Sequence, residues 1–142
     1  MTISYAVFNP DHKDLYVSLG AHPAFICPLQ EHETFEDYEL QFNGMNILTV
    51  NKLQDGLISD ETKVLHLSDH KLHLHPSLFE KDALVLKHSQ IHHVRLSSTQ
   101  SGRGVELSCE GWPYFGIWTK PGTSRFLCLE PWCGIADSGH AS

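Results

Sequence analysis

The stretch from Tyr38 to Val50 constrains the fold most. Tyr38-Glu39-Leu40-Gln41-Phe42 alternates apolar and polar side chains, Asn43-Gly44 follows, and Met45-Asn46-Ile47-Leu48-Thr49-Val50 resumes a strand-like run. Alternation with a period of two buries one face of a strand, and Asn-Gly accepts the positive φ angles of a tight type I′ turn. The pattern predicts a β-hairpin. Similar strand-like runs occur at Ile3 to Phe8, Leu15 to Leu19, Val64 to Leu67, Lys71 to His75, Ala83 to Lys87, His92 to Ser97, Val105 to Ser108, Phe115 to Thr119 and Phe126 to Leu129. Asn9-Pro10-Asp11, Gln54-Asp55-Gly56, Ser101-Gly102 and Pro121-Gly122-Thr123 punctuate them with turn residues. The best helical window, Pro76 to Lys81, is only about a turn and a half long. Many short strands without helices predict an all-β, antiparallel sandwich or barrel.

The chain has 142 residues, 41% of them hydrophobic and 19% charged. That composition excludes a disordered or collagen-like chain and predicts one domain, residues 1–142, with a sizeable core. No apolar run approaches the roughly 20 residues of a membrane helix, so no membrane is expected. Met1-Thr2-Ile3-Ser4-Tyr5 lacks a basic region followed by an apolar stretch, so no secretory signal is expected. Ten Lys plus Arg against 17 Asp plus Glu give a net charge of −7, which repels a phosphate backbone. Nucleic acid is therefore not an expected partner; a small neutral ligand is compatible with the charge. The eleven His would cancel much of the negative charge on partial protonation near pH 6. Cys27, Cys109, Cys128 and Cys133 form no C-x-x-C pair and are expected as reduced thiols in the cytoplasm. Cys27 and Cys128 sit beside apolar residues and read as small core residues.

Four groups of residues could carry chemistry. In Ser18-Leu19-Gly20-Ala21-His22-Pro23-Ala24-Phe25, Pro23 holds His22 extended at the end of a strand. His22 is placed there either for proton transfer or as a turn residue capping a sheet edge. In Phe126-Leu127-Cys128-Leu129-Glu130-Pro131-Trp132, Glu130 ends an almost wholly apolar strand. Burial would raise its pKa and its basicity, unless it is an edge carboxylate paired with Lys or Arg. Trp132 offers a flat platform for a sugar ring. Trp112 to Gly122 is rich in aromatics and is either core or a stacking wall, with Phe115 and Ile117 expected on different faces. His66, His70, His73 and His75 form a loose cluster in which His73 and His75 would share a strand face. Solvated or capping histidines explain that spacing better than a metal site. There is no G-x-S-x-G elbow, Walker A loop or H-E-x-x-H helix, which argues against hydrolase and nucleotide chemistry.

Five blocks occur in one order: Gly20-Ala21-His22-Pro23-Ala24-Phe25, Phe35-Glu36-Asp37-Tyr38, Leu78 to Leu84, Gly116 to Gly122, and Cys128 to Asp137. Together they resemble the aldose 1-epimerase (galactose mutarotase) superfamily in its bacterial aldose-1-epimerase-like branch. The H-P-A-F and E-P-W blocks are the specific ones. The resemblance implies a β-sandwich of the mutarotase supersandwich type, here partial, matching the C-terminal half of a family member. An Arg and a further His of the family's first half have no counterpart. It implies an isomerase of carbohydrate metabolism that interconverts the anomers of an aldohexose. His22 would be the general acid and Glu130 the general base. Asp82 would contact sugar hydroxyls, and Phe25, Trp118 and Trp132 would line the pocket. Neither metal nor organic cofactor is implied. A pair with room for a sugar ring between its members would stand roughly 5–8 Å apart. The alternative is a non-catalytic carbohydrate-binding module. A partial sandwich would leave the apolar strands Phe126 to Leu129 and Ala83 to Leu86 as bare edges, so a homodimer through exposed sheet edges is expected.

Overall fold

The computed structural model describes residues 1–54, 57–89, 91–122 and 125–135. Ten strands follow in chain order: β1 (Ala24–Ile26), β2 (Tyr38–Phe42), β3 (Ile47–Gln54), β4 (Leu57–His66), β5 (Lys71–His73), β6 (Leu84–Lys87), β7 (His93–Ser98), β8 (Gly104–Ser108), β9 (Tyr114–Trp118) and β10 (Phe126–Trp132). All the strand pairs are antiparallel, in a six-stranded sheet of order β1-β10-β9-β6-β3-β4 and a four-stranded sheet of order β5-β2-β7-β8. The only helical turns among the described residues are two 3₁₀ turns, Phe35–Asp37 and Pro76–Phe79. The predicted antiparallel sandwich is therefore the observed architecture.

One buried cluster draws side chains from both sheets. Leu48, Val50, Leu84, Leu86, Phe115, Ile117, Leu127 and Leu129 come from the larger sheet, and Tyr38, Leu40, Phe42, Leu72, Val94 and Leu96 from the smaller. Each such Leu, Val or Phe contributes about 1.5–3 kcal/mol by leaving water. Phe115 and Ile117 share this core face, contrary to expectation, because residues two apart on a strand point the same way. The opposite face of the larger sheet carries Cys128, Glu130 and Trp132, which alternate with the core residues of β10.

The predicted hairpin does not form. The chain turns at Asn43-Gly44 and Gly44 has φ +71°, but a type I′ turn needs positive φ at both central residues, and Asn43 does not have it. β2 instead pairs with β5 and β7, and β3 with β4 and β6, so the turn carries the chain from one sheet to the other. Each strand thereby gains partners on both edges. Ile3 to Phe8 and Leu15 to Leu19 form no strand either, since no described neighbour pairs with them before Leu19. Phe126 to Leu129 and Ala83 to Leu86 are not bare edges: β10 lies between β1 and β9, and β6 between β9 and β3. The turn residues Asp55, Gly56 and Thr123, and Ala136-Asp137 of the last motif block, lie outside the described residues.

A buried carboxylate fixes the loop after β1. The Tyr38 hydroxyl and Ser98 Oγ (2.7 Å) donate to Glu33, and the Leu29 N–H donates to the Tyr38 oxygen at 2.7 Å. These hydroxyl donors, Tyr38 foremost, hold the Glu33 carboxyl below its ordinary pKa of 4.5. A depressed carboxylate contributes stability that is complete above the unfolded pKa and is lost as pH falls through the folded one. Glu33→Gln is therefore expected to melt at a temperature that varies less steeply below pH 4.5 than the parent's, as thermal unfolding followed by circular dichroism would show.

Candidate active site

β1 and the run leading into it lie alongside β10. Ala24 pairs with Cys128 and Gly20 bridges to Trp132, so the same register places His22 directly across from Glu130. Main-chain bonds hold this run: Ala21 N–H to Pro131 O at 2.9 Å, Leu129 N–H to Pro23 O at 3.2 Å, and Cys133 N–H to Leu19 O at 2.7 Å. His22 Nε2 lies 3.2 Å from Glu130 Oε1. The pair is closer than the expected sugar-ring spacing because the two residues are cross-strand neighbours, whose Cβ atoms stand about 4.5–5.5 Å apart. The members differ in freedom. The Glu130 side chain is 4% exposed and that of His22 is 61% exposed. The carboxylate is enclosed in the sheet, and the imidazole faces solvent.

Burial pushes the Glu130 carboxyl above its ordinary pKa; the neighbouring His22 imidazole and the Trp132 indole N–H pull the other way. The result is a more basic carboxylate than an exposed one. Its partners are an imidazole and an indole rather than the Lys or Arg of a surface pair.

Trp118 and Trp132 flank the pair, and Phe126 packs on Trp118. Trp118, in register with Cys128, meets the His22 ring edge-on at a centroid distance of 6.1 Å, and Phe126 tilts against Trp118 at 5.7 Å. Trp132 lies over two glycines. A Cβ at Gly20 would come within 2.5 Å of its Cδ1, and one at Gly116 within 2.5 Å of its Cη2. Only bare backbone lets the indole lie this flat on the sheet. Gly116→Ala is expected to lift the ring and cost about 1–3 kcal/mol of stability. Thermal melts of the variant would measure the loss. Beside Trp132 opens a cleft of about 470 Å³ whose walls include Gly20, Leu53, Ile58, Ala83, Val85 and Ile135. Its volume suits a small molecule. His22 and Glu130 are not in its walls; Trp132 and Gly20 join it to the strands that carry them.

The remaining expected residues are placed less centrally. Phe25 pairs with Leu127 and packs on the core side of the sheet, away from Glu130. Asp82 is exposed just before β6 and adjoins the cleft residue Ala83, whose N–H it accepts at 2.7 Å. Its φ of +126° is strained for a residue other than glycine. No hydrogen bond or ion pair joins it to His22 or Glu130 among the described residues. The His66 to His75 group disperses into local roles. His70 Nδ1 lies 2.7 Å from Met45 O, His73 Nδ1 lies 3.8 Å from Glu39, and His75 accepts the Ser77 N–H at the start of a 3₁₀ turn. Cys27 and Cys128 are both buried as expected; Cys27 joins the cluster between the sheets, and Cys128 lies outside it on the Glu130 face. Its position two residues before Glu130 on one strand is the signal that would have placed it there.

The two-sheet antiparallel sandwich matches a known class. The family model for aldose 1-epimerase matches residues 1–138, and the chain belongs to that family. Protein LacX of Lactococcus lactis subsp. lactis, in its plasmid and chromosomal forms, is 37% identical over 123 residues, covering 84% of this chain and 41% of LacX. A galactose mutarotase related enzyme from Lactobacillus acidophilus superposes with a TM-score of 0.77 at 28% identity, over 88% of this chain and 42% of that one. A galactose mutarotase-like protein from Lactobacillus casei ATCC 334 gives 0.68 at 25% identity, over 87% and 44%. The chain thus spans less than half the length of these relatives. No helix of the described residues is long and apolar enough to cross a membrane.

Proposed function

We propose that this chain interconverts the α and β anomers of an aldohexose, with Glu130 as general base and His22 as general acid. The observation that carries the reading is the contact between a buried carboxylate of raised pKa and an exposed imidazole, 3.2 Å apart on one sheet face. Family membership and the related structures support a sugar as the substrate. Glu130 takes the proton of the anomeric hydroxyl. The hydroxyl's electrons form the aldehyde carbonyl, the bond from the anomeric carbon to the ring oxygen breaks, and its electron pair takes a proton from the His22 imidazolium. Rotation about the bond to the anomeric carbon presents the other aldehyde face, and the ring closes with the two roles reversed. Proton transfer of this kind contributes about 10²–10⁴-fold per group. Trp118 and Trp132 would stack on the sugar, and Asp82 would meet its hydroxyls from the edge of the cleft. Phe25 would support this wall from the core side.

The chain would act as a partial mutarotase-like domain, equivalent to the C-terminal half of a family member. Four unbridged cysteines support a cytoplasmic place of work. A homodimer would form along the edge of β1, where Ile26 is 70% exposed, rather than along β10 or β6. The coverage of less than half of each relative favours one second reading, a module that binds sugar without turning it over. Polarimetry on a freshly dissolved pure anomer separates the two. Faster loss of rotation than in buffer supports catalysis; sugar binding by calorimetry without that acceleration supports the module.

A further inference from the structure

The face that carries the acid–base pair also brings together three metal-ligand atoms of different kinds. One His22 ring nitrogen, Cys128 Sγ and one Glu130 carboxylate oxygen all lie within 4.8 Å of one another. We propose that these three groups bind a soft divalent cation of the zinc type, and that the bound cation shuts the site to sugar.

The donor set supports this first. Nitrogen, sulfur and oxygen at bond lengths of about 2.0–2.3 Å are the ligands zinc selects. A tetrahedral ion with such bonds needs its ligand atoms roughly 3.3–3.8 Å apart. His22 and Glu130 already stand 3.2 Å apart, and the sulfur lies within 4.8 Å of both, so its sides of the triangle need to close by no more than about 1.5 Å. The second support is rigidity. Cys128 and Glu130 are two residues apart on β10, an interior strand, and are 1% and 3% exposed. Two ligands are fixed, and the exposed third can close on the ion from the solvent side. That side leaves the fourth position for water.

The third support is the Cys128 thiol. The Cys109 thiol, buried elsewhere, lies 3.3 Å from the Ile91 carbonyl and bonds to it. The Cys128 thiol is equally buried and makes no hydrogen bond among the described residues. An unpartnered sulfur therefore faces the pair. On binding, its S–H bond breaks, the proton passes to solvent, and the sulfur lone pair goes to the metal. Thiolate and carboxylate together neutralise the doubly charged ion, which suits a buried place.

The effect on turnover rests on the proposed acid–base reading; the binding itself does not. The ion would occupy the carboxylate and imidazole lone pairs that proton transfer uses. The purified chain is titrated with Co²⁺ and then Zn²⁺ and followed by absorbance. A thiolate-to-cobalt charge-transfer band saturating at one ion per chain is expected, to be abolished by Zn²⁺. Cys128→Ser should lose the band and Cys133→Ser, at the one exposed cysteine, should keep it. Should circular dichroism show Cys128→Ser unfolded, His22→Ala gives the second reading: its side chain is exposed, and its loss should weaken cobalt binding by at least ~10-fold. In an active chain, Zn²⁺ should suppress anomerisation of the parent and spare Cys128→Ser. No band in the parent, or a band that survives in folded Cys128→Ser, overturns the proposal. An active chain without the band fails the cation site alone, and a chain that binds cobalt without anomerising sugar fails the catalytic reading alone.

Discussion

Glu130→Gln is expected to slow anomerisation by about 10²–10⁴-fold while leaving the melting temperature close to the parent's. The swap keeps the side chain's volume and removes the proposed acceptor of the anomeric proton. It also replaces a buried charge by a neutral amide, so the fold has no reason to suffer. His22→Asn should cost a similar factor by removing the proton donor. The double variant should be little slower than either single one, because proton acceptance and donation serve one ring-opening event. In the parent, activity should fall toward acid as Glu130 is protonated. Because burial raises that pKa, the fall should lie above the range of an ordinary glutamate. Polarimetry across pH on all four proteins measures the whole set, and a parent-like rate in both single variants would move the chemistry to other residues.

Phe115→Ala is expected to give the largest loss of stability, about 3–5 kcal/mol. Phe115 is 1% exposed, pairs with Leu86 and Pro131, and lies in the core between the sheets. Truncation loses the transfer free energy of the ring and leaves a void that two hydrogen-bonded neighbouring strands cannot close. For a chain of this length such a loss lowers the melting temperature by on the order of 10 °C or more. A scan of parent and variant by calorimetry tests this. A drop of a degree or two would mean that the sheets collapse onto the space.

Strand content was legible in the residues because alternation is a local signal. Tyr38–Phe42, Leu84–Lys87 and Gly104–Ser108 each lie within a residue or so of the run that predicted them. Pairing was not legible. Asn43-Gly44 announces a turn, but whether its flanking strands meet depends on what else competes for their edges, and β5, β7, β4 and β6 win that competition. β1 was missed because three residues are too few to show a period. Ile3 to Phe8 was predicted as a strand from its composition, yet a strand needs a neighbour, which composition does not supply. At the site, His22 and Glu130 stood out through the prolines and aromatics around them. Their distance did not, because it follows from a register set by pairs at Gly20 and Ala24. Gly20 and Gly116 were invisible as supports for Trp132, since their contribution is the absence of a side chain.

The proposed acid and base stand on unequal ground. Glu130 is on a strand paired on both sides, whereas His22 belongs to the short run at the sheet's margin, held on one side only among the described residues. Marginal pairings open at lower free energy than the interior of a sheet. Fraying there would carry the imidazole away while the carboxylate stayed in place. Warming should therefore silence the chain reversibly before it melts, and a graft that adds a further strand outside β1 should widen the range of temperature over which it works.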